Sequence, residues 1–576
     1  MNLKKLIGMK WRLVVLFSFT INFISIGQVF EWVAPAGSID MDVGNDIALD
    51  DLGNVYTTGY FQGTVDFDPG VGVVNLTSNG GSDIFIQKLD PSGNLIWVKN
   101  IGGTAWDIGE SITIDNVGNV YVTGTFSDTT DFNPNSIGVF NLISEGFDDV
   151  FILKLTPSGS LIWVKSIGGS SFERATDIIV DGANNVYTTG SFRGTVDFDP
   201  DGGVLNLTPG NAWSSIFVQK LDAGGNLIWA KGMYGTGSNA TTATAIALDG
   251  QGNVYTTGYF ENTVNFDPNS GIGTSAVGEF DAFVHKFDAQ GNFVWVKIIG
   301  GTDHERAYDI VVDDADNIYT TGYFNQTVDF NPNGGVFNLS TIVTIAGSDV
   351  FIQKLNAAGD FIWAKKMSGY SNNIGSALAL DASGDLYLAG NFGGTVNFNP
   401  NGGTAKNLTS AGNFDAFIEK IDSAGNFLWV KGVGGNDYDR SNGVVVDSDS
   451  SVYVIGAFKN TVDFDPNGGV MNRTALGNFD SYVLKLGESI HLGLNTPKYS
   501  NIKVYPNPSK GSVIIESEDL EGASIRVINL SGQTVYYQPN LNTTSYLFEI
   551  EGPIGIYFIE IKGKRGTQQI KWIKCN

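Results

Sequence analysis

Apolar residues along this chain fall in short alternating runs rather than at every third or fourth position. In Asn54–Phe61 (NVYTTGYF), Asp83–Asp90 (DIFIQKLD) and Leu95–Lys99 (LIWVK) the runs are rich in β-branched and aromatic residues, and clusters of Gly, Asn, Asp and Ser separate them. This pattern predicts strands joined by tight turns, with no helical period. Within Leu95–Val98 alternate residues point to opposite faces, and both faces are apolar. That suits a sheet stacked between neighbouring sheets.

The runs recur. Trp32, Trp97, Trp163, Trp229, Trp295, Trp363 and Trp429 are spaced 65–68 residues apart. Two further columns also count seven: Pro69, Pro134, Pro200, Pro268, Pro332, Pro400 and Pro466, and Asp50, Asp115, Asp181, Asp249, Asp313, Asp381 and Asp447. One unit reads as four antiparallel strands, Asp46–Asp50, Asn54–Phe61, Asp83–Asp90 and Leu95–Lys99, with a long excursion between the second and third. Val29–Val33 aligns with a fourth strand, while the last unit runs through Asp480–Leu486 and lacks one. Filling that gap with the early strand removes an open edge, so a closed ring is expected.

The expected fold is all-β: a seven-bladed β-propeller over residues 28–487, closed by the N-terminal strand, a linker at 488–500, and a small β-sandwich at 501–576. In the sandwich, strands are expected at Ser512–Ser517, Ile525–Asn529, Thr534–Tyr537, Tyr546–Ile550, Gly555–Ile561 and Gln569–Lys574, with Leu530–Gln533 as a turn. At the N-terminus Lys4, Lys5, Lys10 and Arg12 precede an apolar stretch, Leu13–Ile24, and the small-x-small site Ser25-Ile26-Gly27. Residues 1–27 thus read as a cleaved signal peptide, with Gln28 first in the mature chain and no membrane span remaining.

The IALD-x-x-GN-VYTTG, DIFIQKLD-x-x-GN and LIWVK-x-IGG segments resemble the SBBP family of bacterial β-propeller repeats over about residues 28–487. Val504–Gly511 (VYPNPSKG), Ile525–Tyr537 and Gly555–Lys574 resemble the type A C-terminal sorting domain of the type IX secretion system of Gram-negative bacteria. The second resemblance implies that residues 501–576 engage the type IX machinery in the periplasm and are then removed or used for surface attachment. Both ends agree on one route: Sec, periplasm, outer membrane and exterior, secreted or on the cell surface.

Charge narrows the partners. The net charge is -26, and residues 28–497 hold 21 basic against 53 acidic groups. Such a body repels nucleic acid and an anionic leaflet, but is compatible with cations, cationic proteins and neutral glycans. Cys575 is the sole cysteine, so there is no internal disulfide and no cysteine metal site. Three histidines (His285, His304 and His491) argue against a zinc-hydrolase centre.

Candidate chemistry lies in three places. The Asp50 column precedes a turn and is expected to cap it. Asp66/Asp68, Asp197/Asp199 and Asp463/Asp465 open the DFDP segments, where two carboxylates admit calcium. Asx-Pro turns account for the same residues, and Thr77 and Thr208 stand where an EF-type loop needs its bidentate glutamate. The third place is the loop before each first strand. It carries Trp106-Asp107, Phe172-Glu173-Arg174, His304-Glu305-Arg306 and Tyr438-Asp439-Arg440. These make either a polar rim with planar groups, fit for sugars or peptide side chains, or Glu–Arg pairs that fix the spacing of the units. Only His304 beside Glu305 has the makings of an acid–base pair. The expected function is a non-catalytic extracellular binding or adhesion propeller with no cofactor, calcium aside, and a glycan or protein ligand. The alternatives are a polysaccharide lyase or hydrolase on the same scaffold, or a structural surface-layer component.

Overall fold

A computed structural model describes residues 28–488 and 502–575, apart from 136–137, 210–212, 238–240, 268, 272, 343–346, 518–519, 521, 530–533 and 564–565. The expected signal peptide at 1–27, residues 489–500 of the expected linker, Ser238 and Asn239, Pro268 and the expected turn at Leu530–Gln533 lie outside the described residues. The chain divides into a large unit, Gly27–Glu488, and a C-terminal unit whose described residues begin at Ile502. Among the described residues every regular element is a strand.

The large unit is built of propeller-like repeats. In the first, Val43–Leu49, Val55–Phe61, Asp83–Leu89 and Leu95–Gly103 pair antiparallel in that order. Five further repeats follow, with first strands Ile108–Ile114, Arg174–Val180, Thr242–Leu248, Glu305–Val312 and Ile374–Leu380. The seventh supplies only Arg440–Val446, Val452–Phe458 and Asp480–Glu488, and Gln28–Ala36 adds to it as the fourth strand. Phe30 lies opposite Leu486, Val33 opposite Leu484 and Ala36 opposite Ser481. Every sheet among the described residues is open.

Burial sorts the strands. The third strand Asp83–Leu89 is buried at every residue and Val55–Phe61 at all but one. Apolar groups on both faces there are covered by neighbouring repeats. The fourth strand is outermost instead, and leaves Ile96 48 % exposed. The excursion also holds an unforeseen short hairpin, Thr64–Asp66 with Asn75–Thr77. In the third repeat its counterpart, Val196–Asp197, adds to Gly168–Gly169 of the preceding repeat's fourth strand.

Side chains tie each repeat to the next at seven junctions. Asn45 Nδ2 donates to Gly109 O (2.8 Å), Thr176 Oγ1 to Ala243 O (3.0 Å) and Thr244 Oγ1 to Ala307 O (3.0 Å). Ser111 Oγ lies 2.7 Å from Asp177 Oδ1, Leu378 N donates to Asp309 Oδ2 (2.6 Å), and Ser441 Oγ donates to Gly390 O (2.8 Å). The remaining bond, Asn442 Nδ2 to Gly44 O at 2.8 Å, joins the seventh repeat to the first.

The C-terminal unit has two sheets, Lys503–Tyr505 with Ser512–Glu516 and Ser545–Glu549, and Thr534–Gln538 with Ser524–Asn529, Gly555–Gly563 and Gly566–Lys574. Val513, Val527, Phe548, Ile559 and Trp572 share one core between them. The three-residue strand Lys503–Tyr505 was too short to read from periodicity.

Candidate functional site: loop face and central cavity

A cavity of about 580 Å³ is lined by the first strands of all seven repeats. Asn45, Glu110, Thr176, Thr244, Tyr308, Ser376 and Asn442 form a polar layer; Asp46, Ser111, Asp177, Ala245, Asp309, Ala377 and Gly443 occupy the next position along these strands. Each first strand shifts register at this point, as at Gly44/Asp46, which frees a backbone N–H. Asp46 takes up Ile112 N (2.8 Å), Asp177 takes up Ile246 N (2.8 Å), and Asp309 takes up Leu378 N. Desolvation raises all three carboxyls, Asp177 to about 7 with Asp46's charge adding. Ser111 Oγ lies 2.7 Å from both Asp46 Oδ2 and Asp177 Oδ1, yet owns a single hydrogen. Protonation of one carboxyl, which would then donate to Ser111 Oγ, relieves the competition for that hydrogen. The geometry and the raised values agree.

The residues before the first strands do not stay together. Trp106 is 54 % exposed, while Asp107, Glu173, Glu305 and Asp439 are buried. Their carboxylates latch the loop: Gly103 N donates to Asp107 (2.7 Å), Gly169 N to Glu173 (2.9 Å), Gly301 N to Glu305 (2.7 Å) and Gly435 N to Asp439 (2.7 Å). Burial lifts Asp107 to about 6, Glu173 and Asp439 to about 7 and Glu305 to about 8. Sequence reading missed Asp42, which does the same with Ser38 N (2.5 Å) and Gln62 N (3.0 Å).

The arginines point elsewhere, because successive strand residues face opposite ways. Arg174 pairs across repeats with Glu110, not with its neighbour Glu173; its Nε is 3.0 Å from Glu110 Oε1. Arg306 lies over the rings of Tyr259 (4.4 Å) and Phe280 (4.6 Å), and Arg440 over Phe479 (5.8 Å). His304 and Glu305 also separate. His304 stacks on Phe280 and its Nε2 is 3.0 Å from the exposed Glu279, while Glu305 is buried against Gly301. The pair that suggested acid–base work does not form.

On the same face, aromatic groups assemble from different columns. Phe172 stacks on Phe147 at 4.5 Å and 5°. The Arg193 guanidinium lies 5.2 Å from the Phe172 ring and 3.8 Å from Trp213. Phe147 is 63 % and Trp213 52 % exposed. Tyr438 packs on Phe414 at 5.1 Å. Phe147, Arg193 and Trp213 carry no repeat signal, since only register places them beside Phe172.

The remaining acids are committed to turns. Asp50 Oδ1 accepts from Leu52 N (3.0 Å) and Asn54 N (2.9 Å), while its Oδ2 accepts from Asn54 Nδ2 and Tyr56 OH. Lys88 sits 3.6 Å away. These hydrogen bonds outweigh desolvation and hold Asp50 below the usual carboxylate range. In the DFDP segments Asp66 Oδ1 accepts from Asp68 N (3.1 Å) and Val74 N (2.8 Å), and Asp197 and Asp463 repeat this with Asp199 N and Leu205 N, and Asp465 N and Met471 N. Among the described residues no group of three or more His, Cys, Asp or Glu is placed to hold a metal ion.

Comparison with known proteins bears on both units. Residues 503–575 match the model of a secretion system C-terminal sorting domain, and residues 96–139 that of a beta-propeller repeat. The chain carries both modules. It is an exported protein, secreted or held at the cell surface, with propeller repeats in its large unit and a tail that engages the type IX machinery. An uncharacterized WD repeat-containing protein of Acanthamoeba polyphaga mimivirus is 24% identical over 81% of this chain and 39% of its own length. A regulatory protein, FlaEY, of Caulobacter vibrioides is 24% identical over 68% of this chain and 40% of its own. The chain thus spans about two fifths of the length of these curated relatives. Among solved structures, a copper-bound fungal alcohol oxidase of the AA5 family gives a TM-score of 0.36 at 11% identity, covering 95% of this chain and 100% of that one. Virginiamycin B lyase from Staphylococcus aureus gives 0.32 at 10%, covering 79% and 99%. No helix among the described residues is long and apolar enough to cross a membrane.

Proposed function

We propose that the large unit is a seven-bladed β-propeller closed by its N-terminal strand, and that it acts outside the cell as a non-catalytic binding or adhesion module. Closure is supported by the pairing of Gln28–Ala36 with Asp480–Glu488, by the bond from Asn442 to Gly44, and by the single cavity that all seven first strands share. A signal peptide at residues 1–27 would start the export that the sorting tail completes.

The observation that carries the binding reading is the exposed platform of Phe147, Phe172, Arg193 and Trp213. Planar groups stacked on one another at an exposed loop face offer large contact area at small entropic cost, the usual chemistry of sugar and peptide recognition. The neighbouring carboxylates are buried and accept from backbone N–H groups, which supports a structural role for them. Glycan-array and matrix-adhesion assays on the chain from Gln28 test this. Binding that weakens at least tenfold in Phe172→Ala/Trp213→Ala is expected. Absence of binding to every surface, or turnover of a bound polysaccharide, would refute it.

A further inference from the structure

We propose that the loop-face end of the central cavity is a carboxylate-binding site that takes a uronic acid residue of an otherwise neutral glycan. This deepens the binding reading above and rests on it. Arg174, Arg306 and Arg440 hold one equivalent position, directly after the buried latch, in the third, fifth and seventh repeats. Two residues further on, Thr176, Tyr308 and Asn442 line the cavity. Side chains two apart on a strand share a face, so the arginines stand above the cavity's polar layer. Tyr60, in the first repeat, lies within electrostatic reach of Arg440 and Arg174, and of the carboxylates of Glu110 and Asp42.

Three of the five arginines in residues 28–497 gather here, in a segment with a large acidic excess. Arg174 is neutralised by Glu110. Arg306 and Arg440 have no carboxylate within ion-pair distance among the described residues, and the Nε of each is buried with no acceptor. A buried donor left unmatched costs free energy that a ligand recovers. The fork of a guanidinium matches a carboxylate in two parallel hydrogen bonds. Tyr259 and Phe280, over whose rings Arg306 lies, hold its guanidinium in place. The body's overall charge disfavours a dense polyanion, but at physiological salt it is screened beyond about 8 Å, so a lone carboxylate feels chiefly the arginines.

The test uses the chain from Gln28 in isothermal titration with a neutral tetrasaccharide that carries a single glucuronic acid and with its methyl ester, which keeps the rings and removes the charge. The acid is expected to bind at least tenfold more tightly than the ester, and Arg306→Gln/Arg440→Gln to abolish that difference while the melting temperature holds. Arg306→Lys should recover part of it. Equal binding of acid and ester, with loss in Phe172→Ala/Trp213→Ala but none in the arginine variant, overturns the carboxylate site and leaves the binding platform standing. Failure of both sugars to bind overturns the site, and the array then decides the platform separately. Stronger capture of an acidic peptide than of the acid sugar also overturns it.

Discussion

Replacing Glu305 with glutamine should show whether the buried latch is held protonated in the folded protein, because the protonated and the ionised carboxyl predict opposite dependence on pH. The Glu305 side chain is fully buried and its Oε2 accepts from Gly301 N at 2.7 Å. Burial lifts its pKa from 4.5 to about 8, and Asp281 and Asp303 add to the rise. A carboxyl whose folded pKa lies above its unfolded value binds its proton more tightly when folded. Its stabilisation is complete below about 4.5 and is lost as pH rises through about 8. At ~1.4 kcal/mol per tenfold change, the full swing has a ceiling of about 5 kcal/mol, and relaxation of the site would reduce it to the order of 2–4. Glutamine imitates the protonated form and keeps an oxygen for Gly301 N. Glu305→Gln should therefore unfold within about 1 kcal/mol of the parent at pH 5, yet be the more stable protein by roughly 2–4 kcal/mol at pH 9. Denaturant titration followed by tryptophan fluorescence at both pH values measures this, and the other raised carboxyls cancel in the difference. An equal loss at both pH values would show that Glu305 is ionised in the folded protein, and the latch argument would fail.

Three further outcomes are expected. Asp249→Ala removes acceptors for Gln251 N, Asn253 N, Asn253 Nδ2 and Tyr255 OH, and leaves Lys286 beside an empty turn; a loss of about 2–3 kcal/mol by denaturant titration follows. Millimolar calcium should leave the melting temperature unchanged, since Asp66, Asp197 and Asp463 already cap backbone N–H groups; a rise abolished by Asp66→Ala/Asp68→Ala would restore the calcium reading. A chain without residues 503–576 should stay inside the cell envelope when fractions are blotted, because the matched sorting module is gone; its arrival in the medium at the normal level would contradict that role.

The strands and their order were legible because each repeat states the same pattern in its own words. Tryptophan, proline and aspartate columns carry the period, and the partial units at the two ends point to the pairing of Phe30 with Leu486. What the sequence could not yield is anything set by register between repeats. Phe147 and Trp213 share a column but Phe172 and Arg193 come from two others, and they meet only through pairing such as the bridge of Asp148 with Phe172. The aromatic-acid-arginine trios misled for a related reason. Adjacent strand residues look like one chemical group on paper, whereas the backbone sends the acid inward and its neighbours to the surface. The short hairpin in the excursion escaped because three-residue strands have too little length for alternation to register.

Repetition also separates fold from function more finely than single residues do. In the latch column Asp42, Asp107, Glu173, Glu305 and Asp439 share one acid chemistry; where Thr241 and Asn373 stand instead, Gly235 N donates to Ser215 Oγ and Gly369 N to Asp349 Oδ1. The very next column reads Val43, Ile108, Arg174, Thr242, Arg306, Ile374 and Arg440, so its chemistry alternates where the backbone role does not. A position that the fold leaves free is where asymmetry toward a ligand can be written. The latch also corrects the formal charge. Glu173, Asp177, Glu305 and Asp439 have pKa values lifted to about 7 or 8, so at neutral pH a good part of the acidity near the cavity is protonated. The arginines beside them are not diminished in the same way, because a guanidinium stays charged wherever it is placed. The loop face is thus less negative than a count of carboxylates suggests, and lowering the pH from 8 to 6 would strengthen attraction of an anionic sugar there even as it leaves the rest of the acidic surface ionised.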